Sequence, residues 1–356
     1  MIELLSRPQR AAAPQSATEA AFISVIVPVR NEARFIRHTL EQLLAQNYPA
    51  GRYEVLVADG RSTDATRAIV REVAAAHPNV ALLDNPKRWS SAGRNAAVRA
   101  ARGDIILLID GHCELDSPDY LAELAAAFER SGADAVGRPQ PLSVPGASPL
   151  RRAVAAARAS RLGHHPDSLI YSSGEGFVKP QSVAVAYRRP VFDRVGLFDE
   201  SFDACEDVDF NHRLDRAGLR CFFTPRVAVR YHPRDTLGGL FRQMTRYGRG
   251  RARLLRKHPE TLSLGCLVPA AFVLGALLGP AVAWLSPWLA GLYAGALALY
   301  GLVVIVASLL IALRARDLRL LPWLPAVFVA IHCGAGAGLL LEGVAAAARR
   351  GARAVG

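Results

Sequence analysis

The sequence predicts an α/β fold, a mostly parallel sheet with crossover helices, followed by C-terminal membrane helices. From Phe22 onward, short apolar runs alternate with segments of helical spacing, and acidic turns follow several of those runs. After His258 the texture changes to three long apolar blocks, in which much of the 51% hydrophobic content is concentrated. The 356 residues allow one large domain or two modest ones. So apolar a chain is not disordered, and five widely spaced cysteines with no C-x-x-C pair exclude a disulfide scaffold, a zinc ribbon and a redox motif. The net charge of +12 suits nucleic acid, an anionic membrane face or a phosphorylated substrate, and does not choose among them.

Taken in order, residues 1–21 lack the continuous apolar core of a secretory signal, which points to a loose tail in a reducing, cytoplasmic setting. FISVIVPV (22–29), YEVLVAD (53–59), NVALL (79–83) and DIILLID (104–110) are the first strands. Between them, Glu32 to Gln46, Thr63 to Ala76 and Ser90 to Arg102 are long enough for helices of three turns or more. A parallel sheet binds ligands at the carboxyl ends of its strands, so Pro28 to Glu32, Asp59 to Asp64 and Asp110 to Glu114 should converge on one crevice. Beyond a Pro-rich stretch at 138–149 come a helix near 150–161, a glycine loop at 174–176, and strands at 181–187 and 226–231. A helix from Cys205 to Ala217 stops at Gly218. The catalytic unit is drawn over 22–241, with a basic juxtamembrane segment at 242–261 and a membrane region at 262–348.

The apolar blocks cover about 262–285, 287–313 and 320–341, and the first two contain no charge. At 1.5 Å per residue each can cross a hydrocarbon core of roughly 30 Å. Seven Arg and Lys residues between 242 and 257, with no acid among them, put the first half of the chain in the cytoplasm by the positive-inside rule. Arg349, Arg350 and Arg353 oppose a simple third crossing, and Pro322, Pro325 and the GAGAG run at 334–338 also suit a re-entrant or broken segment. The basic segment itself reads as contact with anionic lipid or as a grip on a lipid pyrophosphate. No nucleic-acid motif accompanies the charge, so nucleic acid is not an expected partner.

Three sets of residues could carry chemistry. Asp59 ends the second strand, where a buried carboxylate is costly unless it stays wet or binds something, while Asp64 and Thr63 could simply cap the next helix. Asp110 and His112 flank a glycine after the most apolar strand and could both face a divalent ion; His232, after VAVRY, is a further candidate ligand, or an ordinary strand-end residue before Pro233. Glu206, Asp207 and Asp209 crowd one helix start, where acids favour the helix dipole yet repel one another, so one of them suits a general base.

These sets, in this order, resemble family 2 glycosyltransferases, whose catalytic domain has the GT-A nucleotide-sugar fold. The similarity spans about residues 22–257 and consists of SVIVPVRNE (24–32), VADGRSTDAT (57–66), SSAGRNAAV (90–98), LLIDGH (107–112), FDESFDACEDVDFNHRL (198–214) and QMTRYGRGR (243–251). The DGH variant, RYGRGR and the membrane tail are most similar to bacterial exopolysaccharide enzymes of the succinoglycan-glucosyltransferase type. The resemblance implies that Pro28, Arg30, Glu32 and Asp59 form the uracil and ribose pocket and that Arg94 approaches the nucleotide. Asp110 and His112 occupy the family's Asp-x-Asp positions for Mg²⁺ or Mn²⁺, with His replacing the second Asp and His232 as an added ligand. Asp207 matches the catalytic base, with Glu206 beside it. Gln243, Arg246 and Tyr247 loosely match the Gln-x-x-Arg-Trp motif, and Tyr in place of Trp favours single addition over polymerisation.

The function so implied is inverting transfer from a UDP-sugar, UDP-glucose by analogy, to a polyprenyl-diphosphate-linked glycan at the cytoplasmic face of the inner membrane. Transfer to polyprenyl phosphate and a non-catalytic nucleotide-sugar scaffold are the alternatives. A nicotinamide enzyme is disfavoured because PVRNE stands where G-x-G-x-x-G would be needed.

Overall fold

The computed structural model describes residues 20–142, 145–164 and 168–355. The expected N-terminal tail therefore lies outside the described residues except for Ala20 and Ala21. The chain begins with the repeated unit that its apolar runs predict: β1 (Ile23–Val29), α1 (Ile36–Leu44), β2 (Tyr53–Asp59), α2 (Thr66–Ala76), β3 (Val80–Asp84), α3 (Ser90–Ala100) and β4 (Ile105–Leu108). β1 lies between β2 and β4, β3 pairs with β2, and all these pairings are parallel. Side chains alternate across β1 because successive residues of a strand face opposite ways. Ile23, Val25 and Val27 join the core beneath α1 and α2, while Ile26 joins the core beneath α3 on the other face.

The sheet is extended by shorter elements: β5 (Cys113–Leu115), α4 (Tyr120–Ser131), β6 (Ala135–Gly137), α5 (Pro149–Ala159), β7 (Gly176–Val178), β8 (Ala184–Arg188), α6 (Pro190–Val195), α7 (Glu206–Arg216), β9 (Cys221–Phe223) and β10 (Val229–Tyr231). The eight-stranded order is β3-β2-β1-β4-β8-β6-β9-β7, and β8 runs antiparallel to both neighbours. β10 pairs antiparallel with β5 in a separate ribbon, setting Tyr231 opposite Cys113 beside the loop that follows β4. Gly218, at φ 68°, ends the α7 segment in the left-handed region that glycine tolerates.

α8 (Leu237–Lys257) starts on the Thr236 side-chain cap, so the boundary drawn between residues 241 and 242 falls inside a continuous amphipathic helix. α9 (Leu264–Ala283), α10 (Pro287–Arg314) and α11 (Leu324–Val355) follow, and each contains a stretch long and apolar enough to cross a membrane. α9 and α10 expose most of their leucines, and Trp284 and Trp288 stand out at the turn between them, as aromatic residues do at a membrane interface.

α11 corrects the idea of a broken third segment, because it is one unbroken helix. Its GAGAG run does not interrupt it; it lets other helices approach. A methyl group on Gly334 would lie 2.7 Å from Met244 Cβ, and one on Gly338 would lie 2.1 Å from the Thr245 carbonyl of α8. One on Gly336 would lie 2.1 Å from the Pro269 carbonyl of α9. Small residues at helix crossings serve this close contact. α5, α8, α10 and α11 then share a core that includes Val154, Leu240, Met244, Val304, Phe328 and Ile331.

Candidate active site

The carboxyl ends of β1 and β3, the loop after β4, the start of α7 and the flank of α8 open on one cleft of about 2450 Å³. Pro28, Arg30, Glu32, Arg94, Asp110, His112, Glu206, Asp207, His232, Gln243, Arg246 and Tyr247 all line it. The first wall is made by lacing two loops together. Asn31, at φ 57°, accepts from the Thr63 N–H at 2.8 Å, the Glu32 N–H donates to Thr66 Oγ1 at 2.8 Å, and Asp64 accepts from both Ala33 and Thr66. Asp64 thus does the local capping work that its position suggests, and also ties β1's loop to the start of α2.

Asp59 is placed differently from the expectation. Its carboxylate is fully buried, 2.9 Å from Arg67 Nη1 and near the Ser62 N–H, and it is not among the side chains lining the cleft. The desolvation that made Asp59 conspicuous in the sequence is offset by Arg67 from α2, so its place is behind the wall, holding the 60–62 turn.

The floor of the cleft is a chain of charges. Arg94, buried on α3, lies 3.6 Å from Asp110 Oδ1 and 3.1 Å from Glu206 Oε1, yet its Nε and Nη1 make no aligned hydrogen bond. Burial alone would lower its pKa, but Glu206, Asp110 and Asp207 hold it above the ordinary arginine range. Asp110 also accepts from the Tyr231 hydroxyl at 2.9 Å. Burial would raise the Asp110 pKa; Arg94, His112 and Tyr231 reverse this and keep it ionised. For Glu206 burial wins, and with Asp207 nearby its pKa is raised in spite of Arg94.

His112 Nδ1 lies 3.0 Å from Glu32 Oε1, an interaction that, with Asp110, raises its pKa against the lowering effect of burial. His232 reaches the same corner but does not converge with Asp110 and His112 as a third ligand. Its Nε2 lies 3.4 Å from Glu114 and its ring stacks on Phe35 at 5.0 Å. Burial lowers its pKa, with Glu114 opposing.

Of the three acids at the head of α7, only Asp207 is exposed. Glu206 is buried against Arg94, and Asp209 is buried against His258, Lys257 and Arg213. The turn that presents Asp207 passes through Cys205 at φ 66° and is backed by α8, where a methyl group on Gly250 would lie 2.5 Å from the Ala204 carbonyl. Three of the seven cations between 242 and 257 are engaged by protein acids. Arg253 pairs with Asp203 and Glu342, Arg256 with Glu342, and Lys257 with Asp199 and Asp209. Arg246 and Arg251 still face the cleft, where Gln243 donates to the Tyr247 hydroxyl at 3.2 Å.

Several cleft residues escaped the sequence reading. Asn85 and Arg88 follow β3 and could have been found by treating its carboxyl end like the others. Tyr231 gave no local signal, because its role depends on which strands pair; the same holds for Arg138, which is wholly buried behind the cleft and bonds the Tyr120 hydroxyl and the Leu108 carbonyl.

Comparison with known proteins follows the same outline. A family model described as glycosyltransferase like family 2 matches residues 20–250. The succinoglycan biosynthesis protein ExoA of Rhizobium meliloti is 36% identical, over 78% of this chain and 84% of that one. A dolichyl N-acetyl-α-D-glucosaminyl phosphate 3-β-D-2,3-diacetamido-2,3-dideoxy-β-D-glucuronosyltransferase of Methanococcus voltae is 27% identical, over 66% of this chain and 74% of that one. Among solved structures, the mannosyltransferase PcManGT of Pyrobaculum calidifontis, in complex with GDP-Man and Mn²⁺, superposes with a TM-score of 0.58 at 23% identity, covering 92% of this chain and 91% of that one. That likeness is one of fold, the GT-A arrangement.

Proposed function

The chain belongs to glycosyltransferase family 2, and from that membership we propose that it transfers a sugar from a UDP-sugar, UDP-glucose by analogy, to a lipid-linked glycan with inversion at the anomeric carbon. The observation that carries the assignment of roles is the exposure of Asp207 alone among the acids at the head of α7. A general base must reach the proton it removes, and Glu206 and Asp209 are buried against cations. Asp207 takes the proton of the acceptor hydroxyl as that oxygen attacks the anomeric carbon and the nucleoside diphosphate departs. Arg94, buried and with Nε and Nη1 lacking hydrogen bonds, supplies donors for diphosphate oxygens in a place where water competes little. Pro28, Arg30 and Glu32 form the nucleoside end, and Gln243, Arg246 and Tyr247 the acceptor side.

A divalent ion, Mg²⁺ or Mn²⁺, fits at Asp110 and His112. Tyr231 orients the carboxylate and Glu32 engages Nδ1 of the imidazole, the outer support that metal-binding side chains usually have. Such an ion would neutralise the departing diphosphate. The relative named for a dolichyl-phosphate-linked sugar supports a lipid-carried acceptor, here a polyprenyl diphosphate glycan, and the relative named for succinoglycan biosynthesis supports a role in polysaccharide synthesis. The arginines of α8 favour a cytoplasmic cleft above an inner membrane crossed by the apolar helices.

The test is to incubate membranes containing the protein with radiolabelled UDP-sugars, extract the lipid, and determine the label's position and anomeric configuration. Label on a lipid-linked oligosaccharide, with configuration opposite to the donor, is the expected product. Label directly on polyprenyl phosphate would replace the acceptor, and a retained configuration would overturn the single displacement.

A further inference from the structure

α7 carries His212 five residues beyond Asp207, and the turn between α8 and α9 carries His258 and Glu260. Both imidazoles are buried, and their ring centroids are 4.5 Å apart. His212 Nε2 lies 3.0 Å from Glu260 Oε1 and His258 Nδ1 lies 3.8 Å from the same oxygen. The opposite nitrogens are taken: His258 Nε2 is 2.9 Å from Asp209 Oδ1, and His212 Nδ1 is 3.2 Å from the Gln181 amide. Among the described residues this is the one group of three His, Cys, Asp or Glu whose ligand atoms all lie within 4.8 Å of one another.

We propose that His212, His258 and Glu260 bind a divalent ion of the zinc class, with a fourth position open to water. Two imidazoles and a carboxylate suit zinc better than magnesium or calcium, which favour all-oxygen sets. The bond from His258 to Asp209 is the carboxylate–histidine support that fixes a ligating ring, and the Gln181 amide does the same for His212 once its oxygen is turned toward the ring. Glu260 is half-exposed and lines the cleft, which gives the ion a path in. Three cations face the group. Arg213 and Lys257 are matched by Asp209, and the ion would displace Arg216, which lies 3.2 Å from Glu260 in an exposed pair of little worth.

The site shares no residue with the Asp110–His112 pair and does not rest on the glycosyl-transfer reading. It would staple α7, whose first turn presents Asp207, to the turn where the chain enters its apolar helices.

The experiment uses full-length protein in detergent, stripped with EDTA and titrated with zinc chloride alone. Bound zinc is measured by mass spectrometry, with cobalt absorption as the report on coordination. All proteins are compared in an Asp110→Asn, His112→Gln background, so that the other pair adds no ion. One zinc equivalent, a tetrahedral cobalt spectrum and a zinc-dependent rise in Tm are expected with the cluster intact; all three should be lost in His212→Gln, His258→Gln. Asp209→Asn should weaken zinc binding roughly 10- to 100-fold. Glu260→Gln alters an exposed carboxylate and guards against misfolding of the double variant; a loss of at least about tenfold is expected. Unchanged zinc affinity in Glu260→Gln, or equal stoichiometry with and without the two histidines, would overturn the proposal.

Discussion

Asp207 and Glu206 are neighbours with opposite surroundings, and their substitutions should differ accordingly. Asp207→Asn keeps the shape of the α7 head and removes the proposed base, so turnover should fall by roughly 10²- to 10⁴-fold, as measured by UDP release under saturating donor and acceptor. Glu206 has a raised pKa from burial and the nearby Asp207. The folded protein then holds the Glu206 proton at a pH where the unfolded chain has released it. Stability from this group should therefore fall as pH rises from about 4.3, the ordinary glutamate value, through the folded one. Comparing Tm across that interval, Glu206→Gln should remove that part of the slope; an identical slope in both proteins would place the proton elsewhere. Asp59 shows the limit of reading single residues. A strand-end carboxylate announces itself in the sequence, but the Arg67 that buries it comes from the next helix.

At the scale of elements, the α8–α11 crossing has no room to spare. Gly338→Leu places side-chain atoms against the Thr245 carbonyl and should cost roughly 1–3 kcal/mol, read as a lower Tm. Glu342→Ala should cost a comparable ~1–3 kcal/mol, less than the loss of a fully buried partner because Arg253, Arg256 and Arg349 can reach water. Long regular elements were legible in the sequence: the first four strands and the helices between them stand close to where their apolar periods put them. β5, β6, β7 and β9 were not, since strands of three residues are too short to show a period of two. α8 was half legible. Its charge was plain, but Asp199, Asp203, Asp209 and Glu342, which engage it, lie far away along the chain.

For the whole molecule, the apolar helices are part of the fold that supports the cleft, because α11 covers α5 and α8, and α8 backs the turn holding Asp207. A chain ending at residue 263 would expose Val154, Leu240 and Met244. It should elute as an aggregate in size-exclusion chromatography without detergent, while the full chain elutes as a defined species with it. A monodisperse, active fragment would contradict this dependence.

The proposed sugar transfer in this cleft depends on Asp207 as its base. Its most direct measurement pairs two readouts on the same membranes, UDP binding at equilibrium and labelled lipid-linked glycan formed from a UDP-sugar, for the wild type and Asp207→Asn. Asp207→Asn should bind UDP undiminished and form almost no product. Product formed at the wild-type rate by Asp207→Asn would contradict it.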